Sequence, residues 1–147
     1  TMKNIYYDKN NLQWANFNPE VNKIDYLKNN KKKIKCSLDT LDNFTKKNKK
    51  IIHSKIDLLK IDTEGFELEV LKGAEKTIKN LKPKYIQIEY NWHHLFKNIN
   101  LYYFSKFLKD YNTYKILPFS KKLLKINTER PEHNYFNYSN IVFIRKK

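Results

Sequence analysis

Glycine is nearly absent from this chain. Of the 147 residues, only Gly65 and Gly73 are glycines. Loops that hold phosphate groups or nucleotide cofactors are usually built from glycine, because the backbone must approach the ligand closely. Residues 1–33 contain no glycine at all. A glycine-rich cofactor turn is therefore excluded from that segment.

Arginine is almost as scarce. Only Arg130 and Arg145 stand among the 30 basic residues, although the net charge is +15. Arginine makes forked contacts to phosphate and guanine, and basic footprints normally cluster on one element. The lysines are instead spread from Lys3 to Lys147. We attribute the charge to a compositional bias that also enriches Asn, Ile and Tyr, and a nucleic-acid partner is not expected.

Cysteine and long apolar runs are also lacking. Cys36 is the only cysteine, so no internal disulfide can form and a reducing compartment is the simpler assumption. No run approaches the ~20 apolar residues of a membrane span, and residues 1–19 have no signal-peptide core. We expect a soluble, cytoplasmic protein with no membrane partner.

The residues that are present predict one α/β domain. Forty per cent of the chain is apolar and 15% is aromatic, as in globular proteins. Residues 1–33 predict an irregular segment, and 34–147 a domain. Periodicity predicts strands at 34–37, 56–62, 84–90, 114–118 and 141–144, a doubtful strand at 122–126, and helices at 38–44, 66–81 and 101–112. The alternation predicts a mostly parallel sheet, with 56–62 buried on both faces and the last two strands as an antiparallel hairpin at the sheet edge.

Acidic and aromatic residues follow two neighbouring strands. Asp62-Thr63-Glu64-Gly65 comes directly after strand 56–62, and the segment from Glu89 to His94 comes at the end of the next strand. Ligands of open parallel sheets bind beyond the carboxyl ends of the strands, so the two loops should lie within reach of each other. A carboxylate or neutral histidine there could accept the proton of a substrate hydroxyl. Alternatively, Asp62, Glu64 and a histidine could hold a divalent cation.

Structural roles compete with these chemical ones. Asp62 or Thr63 could simply cap the helix that starts near Phe66, just as Ser37 or Asp39 could cap the helix before it. The pair His93-His94 predicts a partly exposed loop more readily than a metal site, because adjacent side chains point in different directions. Two glutamates in the first turn of helix 66–81, Glu67 and Glu69, are most simply a solvated helix start.

Three segments in order resemble the FkbM methyltransferase family. Residues 56–74, IDLLKIDTEGFELEVLKGA, resemble its signature: an apolar strand ending in Lys-Ile-Asp, an acid and a glycine, a glutamate in the first helical turn, and Leu-x-Gly. Residues 37–42 resemble the Leu-Asp-x-Leu segment that precedes the signature. Pro83 and residues 85–89 resemble the next strand, which ends on glutamate.

The resemblance implies a Rossmann-like class I methyltransferase sheet, of which this chain is the C-terminal portion. It implies transfer of a methyl group from S-adenosylmethionine, usually to an oxygen of a sugar or other small metabolite. By motif position, Asp62, Glu64 and Glu89 are the expected catalytic residues, as general base, metal ligand or hydroxyl binder. We expect substrate to contact four further residues of the two loops, and assign none of them to a metal: Gly65, Asn91, Trp92 and His93.

The chain also departs from the family pattern. The first strands of the fold, the glycine-rich turn and the acid that holds the ribose belong upstream of residue 34, where no glycine occurs. We therefore expect the N-terminal cofactor-binding strands to be missing and to be a possible partner of this chain. Two rivals remain: a non-catalytic module that binds a partner through an exposed edge strand, and a basic nucleic-acid-binding module.

Overall fold

The computed structural model describes residues 1–48 and 55–147, with Tyr26 described by its backbone alone. These residues form two β-sheets and four α-helices in an α/β arrangement. None of the helices in the described ranges is long and apolar enough to cross a membrane.

The first sheet joins the predicted strand at 34–37 to two strands from residues that were expected to be irregular. Strands β1 (Met2–Asp8), β2 (Asn11–Asn16) and β3 (Lys32–Ser37) pair antiparallel in the order β2-β1-β3. The prediction of an irregular segment at 1–33 was wrong for β1 and β2, which are formed by pairing with each other and with β3. An asparagine at the end of β2 links this sheet to the loop that follows it. Asn16 is buried and its side-chain amide donates to Asn22 Oδ1 at 2.9 Å and to the Trp14 carbonyl at 3.2 Å.

The second sheet has five strands in the order β4-β5-β8-β6-β7. Their bounds are β4 Leu58–Ile61, β5 Tyr85–Tyr90, β6 Tyr111–Leu117, β7 Lys122–Lys125 and β8 Ser139–Arg145. Only β4 and β5 pair in parallel, and the other three pairings in the described sheet are antiparallel. The prediction of a mostly parallel sheet was therefore wrong, while the doubtful strand at 122–126 is confirmed as β7.

The position of β8 was also predicted wrongly. Its antiparallel pairing with β6 is confirmed, but β8 lies inside the sheet between β5 and β6. Ile141, Val142 and Phe143 are all buried, so side chains on both faces of β8 are covered. The edges are β4 and β7, and Leu58 of β4 is 52% exposed instead of buried.

The long predicted helix 66–81 consists of two helices. These are α2 (Glu67–Lys72) and α3 (Glu75–Leu81), and the chain breaks between them at Gly73 and Ala74. A Cβ on Gly73 would lie 3.2 Å from Thr40 Cγ2, and the Gly73 carbonyl accepts a hydrogen bond from Asp42 N at 2.9 Å. Tertiary contacts with the preceding helix therefore replace the helical bonds at this point.

The other two helices are shifted from their predicted bounds. Helix α1 spans Leu41–Lys47, and Thr40 is its N-cap, because its hydroxyl accepts from Asn43 N at 3.1 Å; Ser37 and Asp39 do not fill that position. Helix α4 spans Leu101–Phe107 and ends before 112, since Tyr111 already begins β6.

One core joins α2, α3 and α4 to the central strands of the five-stranded sheet. Each fully buried Leu, Ile or Phe contributes roughly 1.5–3 kcal/mol relative to exposure. The buried members are Ile61, Leu68, Leu71, Ala74, Ile78, Ile86, Ile88, Tyr90, Leu101, Phe104, Leu108, Tyr111, Ile141 and Phe143. This core fixes the carboxyl ends of β4 and β5, where the acidic residues lie.

Candidate functional site

The two acidic loops meet at one edge of the five-stranded sheet. Ile61 of β4 pairs with Ile88 of β5 in parallel register, so Asp62 leaves β4 beside Glu89. One carboxylate oxygen of Asp62, one of Glu64 and one of Glu89 all lie within 4.8 Å of one another. The structure thus brings together the three residues that the sequence proposed as catalytic. We call them the carboxylate cluster.

The three carboxylates differ in exposure. Asp62 is exposed, Glu64 is half-buried, and Glu89 is buried with 8% of its area exposed. Asp62 Oδ2 accepts from Lys60 Nζ at 2.9 Å, an ion pair open to solvent that raises the pKa of Lys60 through the hydrogen bond and the opposite charge. Asp62 therefore caps no helix, and Phe66, the residue at the N-cap of α2, makes no side-chain cap bond.

The pKa of Glu89 is raised above its ordinary value. Burial raises its pKa, a hydrogen bond from Tyr138 opposes that rise, and the charges of Asp62 and Glu64 add to it, so that the net shift is upward. The same hydrogen bond, with the charge of Glu89, raises the pKa of Tyr138 to about 12. A carboxylate with a raised pKa is a better proton acceptor than an ordinary surface glutamate.

Tyr138 was not predicted as a site residue. It lies one residue before β8, and Ser139 of β8 pairs with Tyr90 of β5, so the strand pairing carries Tyr138 to Glu89. The only signal in the sequence was the antiparallel pairing of the last strand. Because that strand was expected at the sheet edge, Tyr138 was missed.

Gly65 lies where the two loops contact each other. A Cβ on Gly65 would lie 2.9 Å from the Cβ of His93, and Gly65 has φ +93°, a left-handed conformation that favours glycine. Glu64, just before it, is also left-handed at φ 52°. The missing side chain of Gly65 therefore makes room for His93. The contact of Gly65 with substrate stays a prediction.

His93 and His94 are buried, contrary to the expectation of a partly exposed loop pair. His93 is 5% exposed, and its Nδ1 lies 3.1 Å from Glu64 Oε2, which ties the second loop to the carboxylate cluster. The imidazole of His93 also packs edge-on against Trp92, with ring centroids 4.3 Å apart. Trp92 is half-buried, and the contact of Trp92 and His93 with substrate stays a prediction.

Glu67 and His94 form a buried pair behind the site. Both side chains are 0% exposed, and Glu67 Oε2 lies 2.8 Å from His94 Nε2. Burial alone would raise the pKa of Glu67, but the hydrogen bond and charge of His94 outweigh it, and the pKa is lowered. Glu67 Oε1 accepts from Thr63 N at 2.7 Å. Glu67 is thus a structural support and not the solvated helix start that was expected, whereas Glu69 is exposed and pairs with Lys97.

Asn91 organises the second loop from within. It is 3% exposed, and its Oδ1 accepts from His93 N at 2.9 Å, which caps the 3-10 helix Trp92–Lys97. Its amide nitrogen lies 3.4 Å from Glu89 Oε2. The side chain is therefore engaged with the chain itself, and it orients Glu89 more directly than it could meet a substrate.

A cleft lined by described residues lies away from the carboxylate cluster. Its volume is about 880 Å³, and it is lined by basic residues that include Lys82, Lys109 and Arg145. Arg145 lies beyond Ile144, the partner of Tyr85 at the amino end of β5, so this cleft is at the opposite end of the sheet. The carboxylate cluster is instead an open surface site at the carboxyl ends.

Comparison with protein families decides the lineage. The family model of the methyltransferase FkbM domain matches residues 3–116, more than half of the chain. The chain belongs to the FkbM methyltransferase family. The match crosses the predicted domain boundary at residue 34, so the first sheet falls within the FkbM-matched region. Neither a comparison with curated proteins nor one with solved structures found a match.

Membership in the FkbM family indicates a methyltransferase in general. Methyltransferases typically use S-adenosylmethionine, and the site offers three carboxylates of which one is buried. Such a set can accept a hydroxyl proton or bind a cationic group, since oxygen donors suit hard divalent cations.

Proposed function

We propose that the carboxylate cluster activates the hydroxyl group of a methyl acceptor, a sugar or other small metabolite, in an O-methyl transfer from S-adenosylmethionine. The observation that carries the proposal is the meeting of Asp62, Glu64 and Glu89 within 4.8 Å in a chain of the FkbM family. An alcohol is a weak nucleophile, and removal of its proton by a positioned base accelerates its reaction by roughly 10²–10⁴-fold.

Glu89 is the proposed base. It is the most buried of the three carboxylates, and its raised pKa brings it closer to the operating pH than an ordinary glutamate. The acceptor O–H bond breaks, its proton passes to a Glu89 carboxylate oxygen, and the electron pair stays on the acceptor oxygen. Tyr138 and Asn91 hold the Glu89 side chain in place.

Asp62 and Glu64 are proposed to orient the acceptor. Their more exposed oxygens can accept hydrogen bonds from neighbouring hydroxyl groups, which suits a polyol such as a sugar. The same three oxygens could instead hold a divalent cation, which would acidify the acceptor hydroxyl directly. Removal of divalent cations in the assay below separates these two roles.

The residues of the described chain do not fit a glycine-rich cradle for S-adenosylmethionine. The space beside Gly65 is taken by His93, and the space beside Gly73 by Thr40. No step of the reaction is therefore assigned to a donor site in these residues. We propose that the donor site is completed by a further polypeptide segment, the expected N-terminal half.

One observation favours the non-catalytic alternative, a module that binds a partner. Strand β4 is at the edge of the five-stranded sheet, and its Leu58 is 52% exposed. No described residue pairs with the outer side of β4, and an edge of this kind can pair with a strand from another chain. The absence of methyl transfer in the experiment below, together with capture of a partner at β4, would support this alternative.

To test this proposal, the chain is expressed together with the segment encoded in frame upstream of Thr1. The transfer of tritium-labelled methyl groups from S-adenosylmethionine to a panel of saccharides is then measured. We expect Glu89→Gln to lower kcat by about 100-fold or more, whereas the matched control Glu129→Gln, a solvent-exposed glutamate, keeps the rate. Equal rates for wild type and Glu89→Gln would contradict the proposed base.

Two further measurements complete the test. Calorimetry should detect no S-adenosylmethionine binding by the 147 residues alone, and tight binding would contradict the proposed external donor site. If no strand with a following Gly-x-Gly turn is encoded upstream, the enzymatic proposal fails and the partner-binding module remains.

A further inference from the structure

The hairpin of β6 and β7 ends in an exposed apolar tip. Phe119, in the loop 118–121, exposes 106% of its reference area, so its whole ring faces solvent. Leu123 and Leu124 of β7 are 47% and 52% exposed. Single exposed apolar residues are common, but here three lie within six residues, with Leu123 and Leu124 on opposite faces of β7 beside the loop that carries Phe119.

The backbone of this tip is unusual for the residues it carries. Phe119 has φ 65° and Lys121 has φ 52°, both in the left-handed region that favours glycine or asparagine. A bulky side chain in this region costs of order 1 kcal/mol, and such strain is found where function requires the residue. An aromatic ring is thus held in solvent at a position that disfavours it.

The charged residues of the hairpin itself are of one sign. Four lysines lie between residues 111 and 128, and no acidic residue occurs in that range. None of the four forms an ion pair with a described residue. They are Lys115, Lys121, Lys122 and Lys125. The hairpin therefore combines a projecting apolar tip with uncompensated positive charge.

Strand register places this tip at the same end of the sheet as the carboxylate cluster. Lys115 of β6 pairs with Ile141 of β8, and Ile141 pairs with Ile88 of β5. Continuing along β6 from Lys115 leads in the direction of the carboxyl end of β5. The loop 118–121 thus lies beyond the end of the strand that carries Glu89.

We propose that the β6–β7 hairpin docks the chain on an anionic lipid surface. Phe119 enters the headgroup region, the leucines follow at its edge, and the lysine ammonium groups face the lipid phosphates and carboxylates. Lysine near an anionic bilayer contributes about 1 kcal/mol of attraction per residue, without the forked geometry that phosphate recognition in nucleic acid uses. This revises the expectation that the protein has no membrane partner.

Docking by this hairpin places the carboxylate cluster at the end of the sheet nearer the bilayer, with β8 between the strand of Glu89 and the hairpin. The docking itself is independent of methyl transfer. Only the consequence that the acceptor is presented at the bilayer surface rests on the proposed function. Vesicle binding is therefore measured without any methylation assay, so that failure of one proposal leaves the other open to its own test.

The first experiment sediments the full chain with vesicles of pure phosphatidylcholine and with vesicles that contain about one quarter phosphatidylserine. We expect the anionic vesicles to bind at least about tenfold more strongly, and Phe119→Ala to weaken that binding by about tenfold. Leu12→Ala, at an exposed leucine of β2, is the matched apolar control and should change nothing. Phe119 touches no core, so circular dichroism should show an unchanged fold.

The second experiment distinguishes binding through the hairpin from a general attraction caused by the overall charge of +15. Lys121→Glu with Lys122→Glu should weaken binding by at least about tenfold, whereas Lys32→Glu with Lys33→Glu, which changes the net charge equally, should have a much smaller effect. Equal losses in the two variants would overturn the proposal. So would the absence of vesicle binding, or tighter binding of duplex DNA with the same dependence on Phe119.

Discussion

The role of Glu67 in the structure differs from the role that the sequence predicted for it. In the sequence it is one of two glutamates at a helix start, but in the fold its carboxylate is fully buried against His94 and receives the Thr63 backbone N–H. The pair lies directly behind the carboxylate cluster, because Thr63 and His94 belong to the two loops that carry it. Glu67 therefore supports the site without reaching solvent.

The pKa of Glu67 predicts a loss of stability in acid. Since the folded state lowers this pKa below its ordinary value of 4.5, the stabilisation is present above pH 4.5 and is lost as the pH falls through the folded value. We expect Glu67→Gln to cost about 3 kcal/mol at neutral pH, because it breaks a buried pair. Its free energy of unfolding should then depend less on pH in the acidic range than that of wild type.

Urea unfolding between acidic and neutral pH measures this effect. Glu75→Gln is the matched control, since Glu75 is an exposed glutamate in the first turn of α3. Its stability should follow the wild-type dependence on pH. Parallel curves for wild type and Glu67→Gln would show that the buried pair does not carry the acid sensitivity.

At the scale of elements, the break between α2 and α3 depends on a residue of another helix. Asp42 of α1 accepts hydrogen bonds from Lys76 N at 3.0 Å and from Thr77 N at 2.8 Å, and also from the Thr77 hydroxyl at 2.7 Å. These contacts satisfy the free N–H groups at the start of α3. Asp42 thus caps α3 from outside and lets a new helix begin at Glu75.

Removal of this cap should destabilise the fold. We expect Asp42→Ala to lower the free energy of unfolding by about 2 kcal/mol, because two backbone donors lose a charged acceptor. Asp42→Asn keeps one side-chain oxygen as acceptor and should cost about half as much. Thermal and urea unfolding of both variants test this, and a smaller loss for alanine than for asparagine would contradict the capping role.

At the scale of the whole molecule, Phe66 connects the two sheets. The ring centroids of Phe66 and Phe17 are 5.1 Å apart, and Lys3 Nζ of β1 lies 4.2 Å from the centroid of the Phe66 ring. Lys97 Nζ, which also donates to the Gly65 carbonyl, lies 3.8 Å above the same ring. The first sheet is thus tied directly to the loop that carries Glu64.

We expect Phe66→Ala to loosen the first sheet more than the second. Amide hydrogen exchange in β1 should accelerate by at least about tenfold, while β5 and β8 keep their protection, because the lost contacts lie between the sheets. Phe44→Ala, at a 50% exposed phenylalanine of α1, is the matched control. Uniform acceleration in both sheets would mean that Phe66 supports the global fold instead.

The signature segment carried most of the correct prediction. The apolar run before Asp62 and the one before Glu89 are local patterns, and they indicated two strands whose carboxyl ends meet. Together with residues 37–42 and 83–89, these runs carried the resemblance to the FkbM family, which the family model confirms. Local patterns were less informative in residues 1–16, where weak alternation and many asparagines concealed two strands.

The amino-acid sequence by itself determined the family and the three carboxylates, because a strand that ends in an acid and a glycine is a local feature. Only the tertiary structure decided which residues surround them. The insertion of β8 beside β5 brings Tyr138 to Glu89, and the close contact of Gly65 with His93 joins the loops. These contacts join positions far apart in the chain, and they follow from strand pairing and burial, which no local periodicity encodes.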